Sequence, residues 1–416
     1  MGEIVRRVLS CGVTALIERM DGVHSAAMCV SLPVGAAADP HDRQGLTSIL
    51  SELVQRGAGE RDSRAQADAF DRIGCVRSVD VGVLNFHISA TMVGARLSEA
   101  MPLILDMVRR PRFDPAQLEP CRDLAMQSLA SLADDPQERA MLAAKRRHHP
   151  SPHDRSGYGD AAGLGATTID DIKKVWATRA LPVGSIIGIA GAVDPEATLR
   201  QLDALLDGWS GEAPGVDRVG DPPRGYEHEA DQSNQVQILL VQDAPAEPES
   251  ASMVERVLTG VLSGGMSARL FTEVREKRGL CYAVSAAYRA ERDFGVRTAY
   301  VGTTPERAQE SLDTLAGELA RVGTPTGRVE RDEFERSIIG LKSRVVFSGE
   351  STGARAGSLV SDERRLGRPR SLSELLSQVE AVTLDGVNEH AEAYARGRWT
   401  IQTLGPEPLR PPANLS

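Results

Sequence analysis

At 416 residues the chain is too long for one ordinary hydrophobic core, so two or more domains are expected. A 41% hydrophobic and 25% charged composition with 39 Gly and 23 Pro excludes disorder and collagen-like repeats, and only 4% aromatics leaves a core of Leu, Val, Ile and Ala. A formal net charge of -10 argues against nucleic acid as a partner, because phosphate neutralisation needs a basic face.

Residues 1–20 hold no apolar run of signal-peptide length, since Glu18 and Arg19 interrupt it. Arg6 stands where a myristoylation signal needs Ser or Thr, and no stretch approaches a transmembrane span. No membrane partner is expected. Cys11, Cys29, Cys75, Cys121 and Cys281 are scattered and form no CxxC pair, which points to reduced thiols in a cytoplasmic setting.

In chain order, strand-like runs at 12–18 and 25–33 precede a helical pattern at 43–56. Strands are expected at 75–81 and 82–91, then long helices at 95–109, 114–133 and 136–147. Thr168 is placed to cap a short helix, TIDDIKKVW. The half closes on a strand at 184–193 and a helix at 195–208. Residues 211–233 are rich in Gly, Pro and charge, the composition of a linker. A strand then opens the second half at 235–242. A helix follows at 249–262, then a Gly264–Gly265 turn and a helix at 267–277. Strands at 281–289 and 295–303 lead into several helices, and a strand at 398–405 closes the half. Both halves thus repeat one strand–helix–strand plan, a divergent internal duplication of an α+β unit. The expected domains are 1–210 and 234–416.

Two segments carry a family resemblance. GGMSARLFTEVREKRGLCYAVSA (264–286) resembles the C-terminal signature of the insulinase-type (M16, inverzincin) peptidases and of mitochondrial-processing-peptidase-like proteins. GLTSILSELVQRG (45–57) is similar to that family's zinc helix, whose usual form is G-L-A-H-F-L-E-H-M-L-F-K-G. PRFDPAQLE, ADDPQERA and GSIIGIAGAVDPE support it in the right order. The resemblance implies an α+β fold of two homologous domains. Each would be an antiparallel-rich sheet with packed helices, and together they would form half of a clamshell around a peptide chamber.

An H-x-x-E-H helix holds zinc because positions i, i+3 and i+4 share one face. Over 45–57 the apolar residues Leu46, Ile49, Leu50, Leu53 and Val54 still form a buried stripe. On the opposite face, however, the two His positions are Ser48 and Glu52 and the Glu position is Ser51. The resemblance puts the further acidic ligand's counterpart at Ser128. One carboxylate with serines cannot build a closed zinc shell and also supply a base, so no zinc or other cofactor is expected in this chain.

His148, His149 and His153 lie in KRRHHPSPHDRSG, a segment that reads as loop. Their spacing is no standard ligand set, and Arg146, Arg147 and Arg155 crowd it, so surface histidines are expected. His87 reads as a satisfied sheet residue. Gly264 and Gly265 lack the Gly-Lys-Ser/Thr of a phosphate loop.

The resemblance also implies a pair, Arg275 and Tyr282, that holds the substrate backbone and the developing oxyanion opposite the zinc. The expected function is therefore a non-catalytic subunit of an M16 metallopeptidase. It would lend these donors in trans to a zinc-bearing sister chain, as a heterodimer or homodimer acting on peptides. The alternatives are a structural or interaction protein and, less favoured, a self-sufficient metallopeptidase.

Overall fold

The structure is a computed structural model that describes residues 3–394 and 397–412. The first part of the chain forms strands β1 (Ile4–Val8), β2 (Thr14–Arg19) and β3 (Ser25–Leu32), then helix α1 (Leu46–Leu53). The short strands β4 (Gly57–Ala58) and β5 (Arg61–Asp62) precede α2 (Ser63–Arg72), β6 (Val76–Val81) and β7 (Phe86–Val93). Next come α3 (Leu97–Arg109), α4 (Leu118–Ser131), α5 (Pro136–His148), α6 (Ala161–Ala166) and α7 (Ile169–Arg179). β8 (Ile186–Gly191) and α8 (Pro195–Leu206) follow. The remainder comprises β9 (Gly225–Ala230), β10 (Val236–Ala244), α9 (Ala251–Ser263), β11 (Cys281–Ala290) and β12 (Gly295–Thr303). It ends with α10 (Ala308–Arg321), α11 (Arg331–Glu350), α12 (Thr352–Leu366), α13 (Leu372–Glu380), α14 (Leu384–Tyr394) and β13 (Trp399–Gly405).

Local chemistry sets these elements. In β7 Phe86, Ile88, Ala90 and Met92 turn inward and the residues between them outward, the period-2 pattern of a strand with one covered face. Thr168 and Asp171 form a reciprocal capping box at the start of α7. Asp62, Asp160 and Asp194 each accept a backbone N–H at the start of α2, α6 and α8.

The strands make two large sheets with one plan. The first runs β1-β2-β8-β3-β7-β6 and the second β11-β12-β10-β13-β9. β2 pairs in parallel with β8, as β9 does with β13, and the other pairings of both sheets are antiparallel. Matched this way, β9, β10, β11, β12 and β13 repeat β2, β3, β6, β7 and β8 in chain order as well as in space. The expected α+β duplication is what folds.

The chain divides into two compact units, but not at a single point. The first unit takes 1–131, 151–219 and 348–371, and the second takes 132–150, 220–347 and 372–416. Helix α5 from the first half therefore belongs to the second unit, where Ala140 and Ala144 pack on Leu239, Val241, Tyr300 and Leu404. Helix α12 from the second half belongs to the first unit, where Ala356, Leu359 and Val360 pack on Leu16, Ala27, Cys29, Ile186 and Ala190. The exchange is symmetric, since α5 covers β10 and β13 while α12 covers their counterparts β3 and β8. The limits 1–210 and 234–416 do not allow for it. The stretch 211–233, read as linker, also contains β9, a strand of the second sheet.

Gly188 marks why α12 can lie so close to its sheet: a Cβ there would stand 2.5 Å from the Ala356 carbonyl oxygen. Beside it the buried Arg355 guanidinium pairs with buried Glu18 and donates to the Arg370 carbonyl at 2.7 Å. Among the described residues no helix is long and apolar enough to cross a membrane.

Candidate functional site

Helix α1 buries Leu46, Ile49, Leu50 and Leu53, with Val54 just beyond, as its spacing requires. Its start is fixed by Gly45, whose φ of 95° suits a residue without Cβ. The buried Asp39 carboxylate accepts N–H bonds from Gly45 at 2.8 Å and Thr47 at 3.0 Å, satisfying two donors of the first turn. Burial pushes the Asp39 carboxyl up to about 6, against the lowering effect of those bonds and of Arg155.

Ser48, Ser51 and Glu52 share the half-buried face of α1. The Ser51 hydroxyl donates to the Ser48 carbonyl at 2.7 Å, and the Gln55 amide donates to the Ser51 carbonyl at 3.0 Å. Ser128 on α4 is exposed, and its hydroxyl donates to the Leu124 carbonyl at 3.0 Å. The side chains that α4 buries are Cys121 and Ala125. Burial pushes the Cys121 thiol up. Among its neighbours the Arg56 guanidinium works against that shift and Glu52 adds to it. The Arg56 guanidinium therefore lies beside Cys121 of α4, just past the end of α1.

This donor set does not fit zinc. Tetrahedral zinc takes about four N, O or S ligands. The α1 face offers one carboxylate and two serines, and beside it lie the Cys121 thiol, whose ionisation burial opposes, and the Arg56 guanidinium. Among the described residues no group of three or more His, Cys, Asp or Glu is placed to hold a metal ion. Arg56 lies three residues past the end of α1, so no helical spacing in the sequence marks it as a neighbour of α4.

In the second unit, Arg275 and Tyr282 both sit on irregular backbone. Arg275 lies in a π-helical turn, Phe271–Glu276, where the Lys277 N–H reaches back to the Thr272 carbonyl at 2.9 Å. The sequence pattern predicts an ordinary helix there. The wider turn leaves Arg275 exposed, with its guanidinium 4.8 Å from the Phe271 ring centroid. Glu273 binds the neighbouring cations, Lys277 at 2.7 Å and Arg278 at 2.9 Å. The Arg275 side chain makes no hydrogen bond or ion pair among the described residues.

Tyr282 is the extra residue of a β-bulge: Cys281 pairs with Thr303 and Ala283 with Gly302, leaving Tyr282 unmatched. Its side chain is 85% exposed. Its hydroxyl has no partner among the described residues. Arg275 is close enough to lower the thiol of the adjacent Cys281 electrostatically, although burial pushes that thiol up. Two exposed side chains without hydrogen-bond partners among the described residues therefore flank Cys281 in the second unit.

The histidine cluster differs from its sequence reading. His148 ends helix α5 and is buried, 2.9 Å from the Thr400 hydroxyl and 3.2 Å from Asp243. Asp243, raised by burial, is held well below the usual carboxylate range by its bonds to His148 and Arg224. His153 is buried too. The reason is the exchange of α5, which carries His148 onto the second sheet. His87 hydrogen-bonds Ser31 at 3.2 Å across the β3–β7 pair, a satisfied sheet residue. Gly264 caps the end of α9, as a turn reading requires.

Residues 166–341 match the family described as the peptidase M16 inactive domain. An uncharacterized zinc protease of Mycobacterium tuberculosis is 27% identical over 416 residues, covering 96% of this chain and 93% of that protein. The uncharacterized zinc protease YmxG of Bacillus subtilis is 23% identical over 413 residues, covering 97% of this chain and 98% of its own length. The peptidase M16 inactive domain from Pseudomonas fluorescens has the same fold, with a TM-score of 0.88 at 17% identity and 99% of both chains covered. A protease from Helicobacter pylori matches with a TM-score of 0.87 at 16% identity, over 98% of this chain and 100% of that one. The chain is thus similar to the M16 peptidases: residues 166–341 match the M16 inactive domain, and the chain shares the fold of the solved M16-like structures.

Proposed function

We propose that this chain is a non-catalytic subunit of an M16-type metallopeptidase, working with a zinc-bearing sister chain on peptide substrates. The observation that carries the reading is an asymmetry within one sequence. Helix α1 carries Ser48, Ser51 and Glu52 at the ligand positions, while the Arg275 and Tyr282 side chains are exposed on a π-turn and a bulge with no hydrogen bond or ion pair among the described residues. A pair kept only for packing has no need of two irregular backbone segments that turn both side chains out to solvent.

The sister chain's metal would supply the activated water. This chain would supply donors. When water adds to a peptide carbonyl, negative charge develops on the oxygen, and a phenolic O–H and a guanidinium aimed at it lower the barrier. A reducing, cytoplasmic compartment belongs to the same proposal and rests on five free cysteines.

The test is peptide hydrolysis by the complex purified from the native host. Tyr282→Phe keeps the ring and removes one donor, so kcat should fall on the order of 10²–10³-fold with assembly intact. Wild-type hydrolysis by an assembled Tyr282→Phe complex would favour a purely structural or interaction role instead.

A further inference from the structure

A cavity of about 120 Å³ lies within the second unit, between the C-terminal end of α9 and one face of α11. Its base is closed where the helices meet. A Cβ on Gly260 would stand 2.2 Å from the Ser337 hydroxyl, which itself donates to the Val257 carbonyl at 2.8 Å. Its mouth is open, because a Cβ on Gly265 or Gly340 would touch nothing within 4 Å.

Charge distinguishes this cavity. Arg336 and Arg344 line it from α11, two turns apart with Gly340 midway, so all three share one face. The one carboxylate in the lining, Glu333, is already taken by Arg269 through bonds of 2.7 and 2.6 Å. The Arg344 side chain has no hydrogen bond or ion pair among the described residues, and Arg336 acts on Glu333 only at longer range. Two uncompensated guanidinium groups therefore flank a small opening on a chain whose net charge is -10. Around it Met266, Ile339 and Phe347 are exposed at 78%, 64% and 69%. Apolar side chains around a cationic opening suit an anion carried on an apolar body better than a freely hydrated ion.

We propose that this cavity binds a peptide carboxylate, terminal or side-chain, through Arg336 and Arg344, with apolar neighbours on Met266, Ile339 and Phe347. The proposal rests on the peptide-handling reading only for the nature of the ligand, and it needs no metal and no hydrolysis. Arginine forks and carboxylates form paired, charge-assisted hydrogen bonds, which are stronger and more selective than neutral ones.

Binding of fluorescent, apolar-flanked peptides to the full-length chain tests it, read by polarisation. The peptides are one with a free C-terminus, its C-terminal amide, and an amidated one carrying an internal Glu. At least one carboxylate peptide should bind about 10-fold or more tightly than the uncharged amide. Comparing the two carboxylate peptides tells which source is used. Arg336→Gln with Arg344→Gln should abolish the preference, and Gly340→Leu, which fills the mouth and keeps both charges, should do the same. Circular dichroism checks that each variant folds. Equal binding of acid and amide peptides, no binding at millimolar concentration, or a preference that survives the double variant overturns the proposal. Inactive complexes with intact carboxylate binding would count against the subunit reading alone.

Discussion

At the scale of single residues, the donors Arg275 and Tyr282 could be named from sequence because REKRGLCY carries a family pattern. What made them available could not. Neither the π-turn nor the bulge leaves a composition signal, since each shifts only where one residue lies in a hydrogen-bond register. His148 shows the opposite failure: a polar, basic segment read as loop is buried by a sheet far away in sequence. Asp39 sits six residues before Gly45 with no pattern to mark it, yet it organises helix α1. Replacing it with Ala strands two backbone N–H groups in a buried site and should cost about 1–3 kcal/mol in urea unfolding. Its pKa gives a signed test. Burial pushes the folded carboxyl up to about 6 from an ordinary 3.8, so between these values the folded state holds a proton that the unfolded state has released. The stabilisation from this group is complete below the lower value and is lost as pH rises through the upper one. Against Asp39→Asn, the wild type should lose stability between pH 4 and 7, on the order of 2 kcal/mol. A flat or rising difference would contradict that environment.

At the scale of elements, strongly periodic segments such as α1 and β7 were readable because one face of each meets a core. The partner of that face was not, because periodicity says that a stripe is buried but not by what. Helix α12 makes the point. It lies on its sheet through Gly188 and through the buried Glu18–Arg355 pair. Glu18→Ala leaves an arginine buried without its charge partner and should cost about 3–5 kcal/mol, measured by chemical denaturation. Gly188→Ala pushes a methyl group against the Ala356 carbonyl and should cost about 1–3 kcal/mol. On α1, the triple variant Ser48→His, Ser51→Glu, Glu52→His sits on a half-buried face and should fold with only a small fall in Tm. Calorimetric zinc titration of that variant, with Ser128→Glu added for the further ligand, should remain weak until Arg56→Gln removes the guanidinium beside Cys121. Tight zinc binding with Arg56 present would show that the arginine does not oppose the metal.

At the scale of the whole molecule, the duplication was legible as a repeated strand–helix–strand order, while the exchange of α5 and α12 was not, because it swaps equivalent helices between equivalent places. A fragment of residues 1–210 therefore lacks the cover of β3 and β8, and it should expose the apolar face of Ala27, Cys29 and Ile186. Alone it should aggregate or bind a hydrophobic dye, and adding a peptide of residues 348–371 should relieve this. The central claim is that the chain serves without a metal of its own beside a chain that has one. It is tested most directly by metal analysis of the tagged protein isolated from its native host, before and after separation from its partners. The expected result is zinc in the complex, carried entirely by a second chain, with none retained on this one after dialysis. About one tightly held zinc per copy of this chain, purified alone, would contradict it.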